Sequence, residues 1–516
     1  MGNPARPIVP DDGPILQLTD GHLIYSLDDA YIHMAIAKNF SQHGVWGVAF
    51  DQFSSSTSSI LWTSLLAAAY FIFGVNEIAP LVMNLLSAFA LIGVVYHITV
   101  RFFSRPFVRL GFILLVIELL PVTYLIFTGM EHLLHVTLCL VLVDVTARAF
   151  QGTVHLPKTL LILAPLAVLA RYESLFLIAA ICVLYAAKKR LRDAVALGLA
   201  ASLPILIYGL VSVSQGWFLL PNSLLLKSTV INTAWNVQRL LLMLFERVLK
   251  LILVRHLALL FGVCLLLVWA VRRQPLSMRI WPYLFLVTCT FHVLFAEFSA
   301  TNLTVFRYEG YLIALGLLAV GACAGTMQFS TRVFTLRNAL PAALWATCIL
   351  CGASLSVRAF TAVSLTPTAT SNIYQQQYQM GLFVRQYFNS QAVAVNDVGA
   401  VSFLADVHTV DLWGLANLEV ARHKLTGTYT TEVIRTIAEK EKVQIAMVFD
   451  TWFDEDPILP TEWAKIGKWT IQNNVVCGED TVTFYTLGEK INKNRSKAFE
   501  DFTSGLYGSA GNSIGY

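Results

Sequence analysis

Long apolar runs separated by short basic clusters constrain this 516-residue chain more than any other feature. Runs near 78–100, 110–128, 131–150, 194–214, 249–271, 280–297, 309–328 and 338–360 are long enough to span a hydrocarbon layer of about 30 Å as helices. Hydrophobic residues make up 56% and charged residues only 13%, against about 25% charged in ordinary globular chains. The fold class is therefore a polytopic α-helical membrane protein, with membrane lipids as obligatory neighbours. A net charge of +4 is small for this length, and Lys and Arg are scattered between the runs, which excludes nucleic acid as a partner. Seven of the eight cysteines (Cys139, Cys182, Cys264, Cys289, Cys323, Cys348 and Cys351) lie in or beside apolar runs, and Cys477 lies in the polar C-terminal part. They suggest neither a disulfide framework nor a CxxC metal site.

The basic clusters set direction. Arg101, Arg105 and Arg109; Arg148 and Lys158; Lys188, Lys189, Arg190 and Arg192; Arg272, Arg273 and Arg279; and Arg332 and Arg337 mark cytoplasmic loops by the positive-inside rule. Between two such clusters the stretch Thr159 to Ala187 must leave and return, yet its 29 residues make only about 43 Å of helix. It predicts two short helices meeting at depth, with Arg171-Tyr172-Glu173 at the apex facing protein or water. Counting backward places 20–77 outside, with Ile60 to Val75 as a helix lying on the outer face. Counting forward places everything after Val363 on the same face.

Past that point the pattern changes. QQQYQMGLFVRQYF and TTEVIRTIAEKEK read as helices, and AVAVND, TVDLWG, QIAMVFD and TVTFYTL as strands. The expected organisation is an N-terminal segment 1–24, an outer-face acidic loop 25–77, a transmembrane domain 78–362, a soluble α/β domain 363–490 and a disordered polar tail 491–516. No internal repeat is visible, which weighs against a secondary transporter.

Two adjacent carboxylates, Asp28 and Asp29, stand just ahead of the membrane runs, where charge is costly to keep without purpose. The bland alternative is that they cap a helix from Ala30 to Asn39. Glu131 stands at the outer end of its span, with His132 and His135 beside it; its own bland reading is a charge favourable to a helix N-terminus. Arg171, Lys227 and Arg307 are outward cations able to grip a phosphate, and Tyr172 and Tyr308 adjoin two of them.

In order along the chain, SLDDAYIHMAIAKNF, SSSTSSILW, TGMEH, LARYES, PNSLLLKS and VNDVGAVSFLADVHTVDLWGLAN resemble the GT-C membrane glycosyltransferases that use polyprenyl-phosphate sugars. The similarity is to the mycobacterial terminal arabinofuranosyltransferases in particular and covers roughly 25–420. It implies an inverting transfer, on the outer face of a bacterial inner membrane, from a polyprenyl-phosphate donor to an envelope glycan, lipid or protein. By match to the family motif Asp28 is the base, while Asp29 orients the acceptor or helps bind a divalent cation (Mg, Mn or Ca) with Glu131. Arg171, Lys227 and Arg307 would hold the donor phosphate, and His132, Tyr172, Asn222 and Asp397 would line the donor or acceptor site. The family also carries a membrane helix before its acidic loop, which nothing ahead of Tyr25 supplies, and relatives have Arg-Pro-Glu/Asp-Gly where this chain has Arg171-Tyr172-Glu173-Ser174. A transporter or flippase of lipid-linked saccharides, or a non-catalytic glycan-binding assembly factor, are the rival classes.

Overall fold

A computed structural model of the chain describes residues 18–151, 154–226, 254–274, 276–296, 307–326, 339–455, 457–487 and 493–509, together with 242, 245–247, 249, 251 and 252. The acidic segment forms α1 (Asp28–His43) and α2 (Ile60–Phe73). The apolar runs give α3 (Ala79–Phe102), α4 (Pro106–Leu119), α5 (Val122–Phe127), α6 (His132–Ala149), α7 (Lys158–Ala170), α8 (Ser174–Ala187) and α9 (Leu191–Ser214). After a single turn, α10 (Asn222–Leu225), follow α11 (Arg255–Ala270), α12 (Leu276–Phe295), α13 (Gly310–Thr326) and α14 (Ala339–Ile373). As the length argument requires, α7 and α8 are short, at 13 and 14 residues, and meet at Arg171–Glu173. Among the described residues α3, α6, α9 and the rod that begins with α14 are long and apolar enough to cross a membrane, and six shorter apolar helices accompany them.

The expected boundary near 363 falls inside one uninterrupted rod. α14 passes through a π-helical turn, Tyr374–Tyr378, straight into α15 (Gln379–Tyr387). Beyond it the chain folds as β1 (Ala392–Val395), α16 (Gly399–Leu404), β2 (His408–Asp411), α17 (Leu418–Thr426), α18 (Thr431–Lys440), β3 (Ile445–Val448), β4 (Ala464–Thr470) and β5 (Thr481–Thr486). These build a five-stranded sheet of order β2-β1-β3-β5-β4. β1 runs parallel to β2 and β3, pairing Val395 with Asp411 and Val393 with Ile445, while β5 is antiparallel to β3 and β4. The central strands AVAV and IAMV are apolar on both faces because both faces are covered. β4 escapes sequence reading because its lysines break the apolar pattern, as suits an edge strand.

The tail is not disordered where it is described. α19 (Lys493–Ser509) lays Phe499 and Phe502 in stacked contact with Trp469, at 5.8 and 5.7 Å between ring centres. Gly467 makes room for it, since a Cβ there would stand 2.1 Å from the Phe499 ring. The aromatics recur at helical spacing within a polar composition, so average polarity misleads.

α1 is buried nearly all round, because it is wedged between the two parts of the molecule. Ile32 and Ile36 join the C-terminal core with Phe383, Val395 and Met447. Tyr31 and Met34 join Trp62, Tyr70, Met130 and Tyr378 toward the helical bundle.

Candidate functional site

The acidic pair opens α1 without capping it: the N-cap is Leu27 and no side chain bonds there. Asp28 instead turns to the C-terminal domain. Its Oδ2 accepts from the Gly399 backbone N–H and its Oδ1 from that of Ala400, each at 2.8 Å, so it caps α16 from another element. A side chain at 399 has no room, because a Cβ would lie 2.3 Å from the Asp28 carbonyl oxygen. At the far end of α16, Lys38 Nζ donates to the carbonyls of Ser402, Phe403 and Ala405 at 3.1, 2.9 and 3.3 Å, and to Asp406 at 2.9 Å. Asp397, at the carboxyl end of β1, accepts from Gln377 Nε2 at 2.9 Å, and the π-helical turn is what presents that amide. Burial, and then the negative charge of Asp397, push the Asp28 carboxyl well above the usual carboxylate range, and burial raises Asp397 as well. The pair therefore keeps a proton at a pH where a free aspartate is ionised.

Asp29, one residue on, faces the bundle. Its carboxylate pairs with Arg307 Nη2; the Asp29 side chain is 34% exposed and that of Arg307 5%. Arg307 Nη2 also reaches the Tyr308 hydroxyl at 3.2 Å, whereas its Nε and Nη1 are buried without a partner. The Tyr308 ring lies between two guanidinium groups, 5.1 Å from that of Arg307 and 5.3 Å from that of Arg171. Arg171 differs in being saturated. Its Nη1 donates to Glu131 at 2.5 Å, and its Nη2 and Nε to Glu173 at 2.5 and 3.1 Å. Both carboxylates were needed to make so deep an arginine tolerable.

The remaining oxygen of Glu131 faces His33 Nε2 at 3.6 Å. Thr63 and Thr57 hold the other nitrogen of that ring at 2.8 and 3.2 Å, which explains why the serine- and threonine-rich segment before α2 is buried. His132 sits edge-on to Tyr308, with its Nε2 buried and unpartnered. His135 is satisfied by the Ser174 hydroxyl at 2.9 Å. Tyr172 is buried with its hydroxyl unpartnered.

Asp28, Asp29, Glu131, His132, Arg171, Arg307 and Asp397 thus form one connected constellation. Asn222 lies apart from it: its side chain donates to the Gly414 carbonyl at 2.9 Å and its backbone N–H to Ser55, tying two loops together. Lys227 falls outside the described residues. Lys38, His33 and Gln377 were not singled out from sequence, nor was the buried group Glu309, His256 and Arg358, in which the His256 ring and the Arg358 guanidinium each stand 3.6 Å from Glu309. Arg358 inside an apolar run was the readable signal.

Asp29 and Glu131 do not fit the expected divalent cation. Each already opposes an arginine, and among the described residues no three His, Cys, Asp or Glu side chains are grouped to hold a metal ion. What the constellation offers chemically is a buried cation with open donors next to a partly solvated carboxylate.

A family model described as a domain of unknown function (DUF8728) matches residues 371–485, the end of the rod and most of the sheet domain. No curated protein matches the chain in sequence. The fold is similar to that of ArnT from Cupriavidus metallidurans in its crystal structure bound to undecaprenyl phosphate, with TM-score 0.50 and 13% identity over 91% of this chain and 95% of that one. The apo structure of the same protein gives TM-score 0.49 and 14% identity over the same shares. At such identity the likeness is one of fold: a multi-pass helical membrane protein with a C-terminal α/β domain.

Proposed function

We propose that this chain transfers a sugar from a polyprenyl-phosphate donor to an acceptor hydroxyl, with inversion at the sugar carbon. The observation that carries the reading is Arg307, a guanidinium 5% exposed with two nitrogens unpartnered, next to the partly exposed carboxylate of Asp29. A phosphate diester supplies the acceptor oxygens such a buried fork lacks. The structure similar in fold is of a protein bound to undecaprenyl phosphate, which supports the same class of lipid here.

In this reading Asp29, rather than Asp28, takes the acceptor proton. Asp28 has both oxygens committed to backbone N–H groups and holds a proton with Asp397. As Asp29 removes the proton, the acceptor oxygen attacks the sugar carbon, the carbon–oxygen bond to phosphate breaks, and the phosphate departs with the electron pair onto Arg307. Arg171, with Glu131 and Glu173, shapes the wall of the site and orients Tyr308. The sequence resemblance supports an envelope acceptor, and the alternation of basic clusters an outer-face site.

The test is to incubate purified protein with radiolabelled polyprenyl-phosphate sugars and candidate acceptors, scoring acceptor-dependent release of polyprenyl phosphate. Release that disappears in Asp29→Asn and Arg307→Ala supports the reading. Movement of intact donor across vesicles without cleavage would instead make the chain a flippase.

A further inference from the structure

Resting on that transferase reading, we infer that the ion pair between Asp29 and Arg307 is a gate opened by the donor: the incoming phosphate takes Arg307 from Asp29 and so releases the carboxylate to act as base. Arg307 is too buried to stand without a counter-charge, and Asp29 provides it. Asp29 cannot satisfy the whole guanidinium, since Nε and Nη1 remain open. A phosphate diester has two non-bridging oxygens of its own and meets more of those donors than one carboxylate does. Of the two partners Asp29 is the one able to leave, because it is 34% exposed and water can solvate it.

The exchange also orders the reaction. A carboxylate held by a guanidinium is a poor base, and it becomes a better one once the cation is withdrawn. Acceptor deprotonation is then confined to molecules that already hold donor. Arg171 cannot play the same part, because all three of its nitrogens are engaged by Glu131 and Glu173.

The experiment is calorimetric titration of the full chain in detergent with undecaprenyl phosphate, without any turnover. If the two anions compete for Arg307, Asp29→Asn should bind the lipid phosphate about tenfold more tightly than the unmodified chain, while Arg307→Ala should bind it at least tenfold more weakly. Asp29→Ser, which also removes the charge, should tighten binding likewise and serves if the Asn variant does not fold. A pair that merely braces the site gives unchanged or weaker binding in both Asp29 variants, and that result overturns the gate. Should the lipid bind the unmodified chain and Arg307→Ala equally well, the transferase reading of Arg307 fails along with it. Strong binding lost in Arg307→Ala but not tightened by Asp29→Asn leaves the transferase reading standing and removes the gate alone.

Discussion

Asp28 and Lys38, ten residues apart on α1, close opposite ends of the same short helix, α16. The carboxylate meets its N-terminal N–H groups and the ammonium its C-terminal carbonyls, matching the sign of the helix dipole at each end. A six-residue helix is marginal alone. Here α1 supplies what it lacks, and the acidic segment and the sheet domain become one unit.

Gly399→Ala should therefore unfasten that unit. The added methyl meets Asp28 at 2.3–2.8 Å, so α16 must shift, at about 1–3 kcal/mol. Lys38→Met, which leaves three carbonyls without their donor, should cost a similar amount. Thermal melting of both variants, with limited proteolysis near residue 390, measures this; two melting curves matching that of the unmodified chain would refute the clamp.

The two aspartates should separate in kinetics. Asp29→Asn is expected to lower turnover by about two to four orders of magnitude, the range for loss of a general base. Asp28→Asn gives one α16 N–H a donor to face instead of an acceptor, so it should lower melting temperature clearly and turnover by about tenfold or less. Equal loss of turnover in the two would restore Asp28 as the base.

The junction should loosen as pH rises. Burial and Asp397 hold the Asp28 carboxyl above its usual 3.8, and the bond to Asp51 holds His408 above its usual 6.5. In both cases the folded chain keeps a proton that the unfolded chain has released, so their contribution is complete below those ordinary values and is lost as pH climbs through the raised ones. Asp51, lowered by His408 against the effect of burial, adds stability that disappears only on acidification through its own depressed value. Melting temperature should fall from pH 6.5 upward, and His408→Gln should flatten that fall.

Arg171→Met should be poorly tolerated, losing about 3–5 kcal/mol because Glu131 is left buried, and Glu173 half-buried, without their cation. Adding Glu131→Gln should recover part of the loss. Recovery in the double variant, read from melting in detergent, separates a charge-balancing role from direct contact with a ligand.

Reporters should label Ser104 and Gly381 from opposite sides of the membrane, with Ser104 cytoplasmic, as the alternation of basic clusters requires. Identical labelling would remove the basis for placing the acidic pair outside.

Much of the architecture was legible because bilayer thickness and helix rise leave little freedom: the apolar runs, the broken pair α7 and α8 and the short apolar helix α2 follow from length and composition. The residues of the site were legible as charges out of place, which is why Asp28, Asp29, Glu131, Arg171 and Arg307 stood out. Their division of labour was not. Neighbours on a helix point roughly 100° apart, so Asp28 and Asp29 serve different parts of the molecule, a fact visible only once α1 has a neighbour on each side. α16 and α19 stayed hidden because one depends on partners distant in sequence and the other on three side chains in a polar stretch.

The unbroken passage from α14 through the π-helical turn into α15 makes a strut of roughly 70 Å, at about 1.5 Å per residue. Ile373, Tyr374 and Tyr378 along that strut pack in one core with Tyr31 and Met34 of α1. The apolar span, the sheet domain and the acidic helix are thus carried on one continuous piece of helical backbone, with no loop at the junction to take up a change in their relative angle.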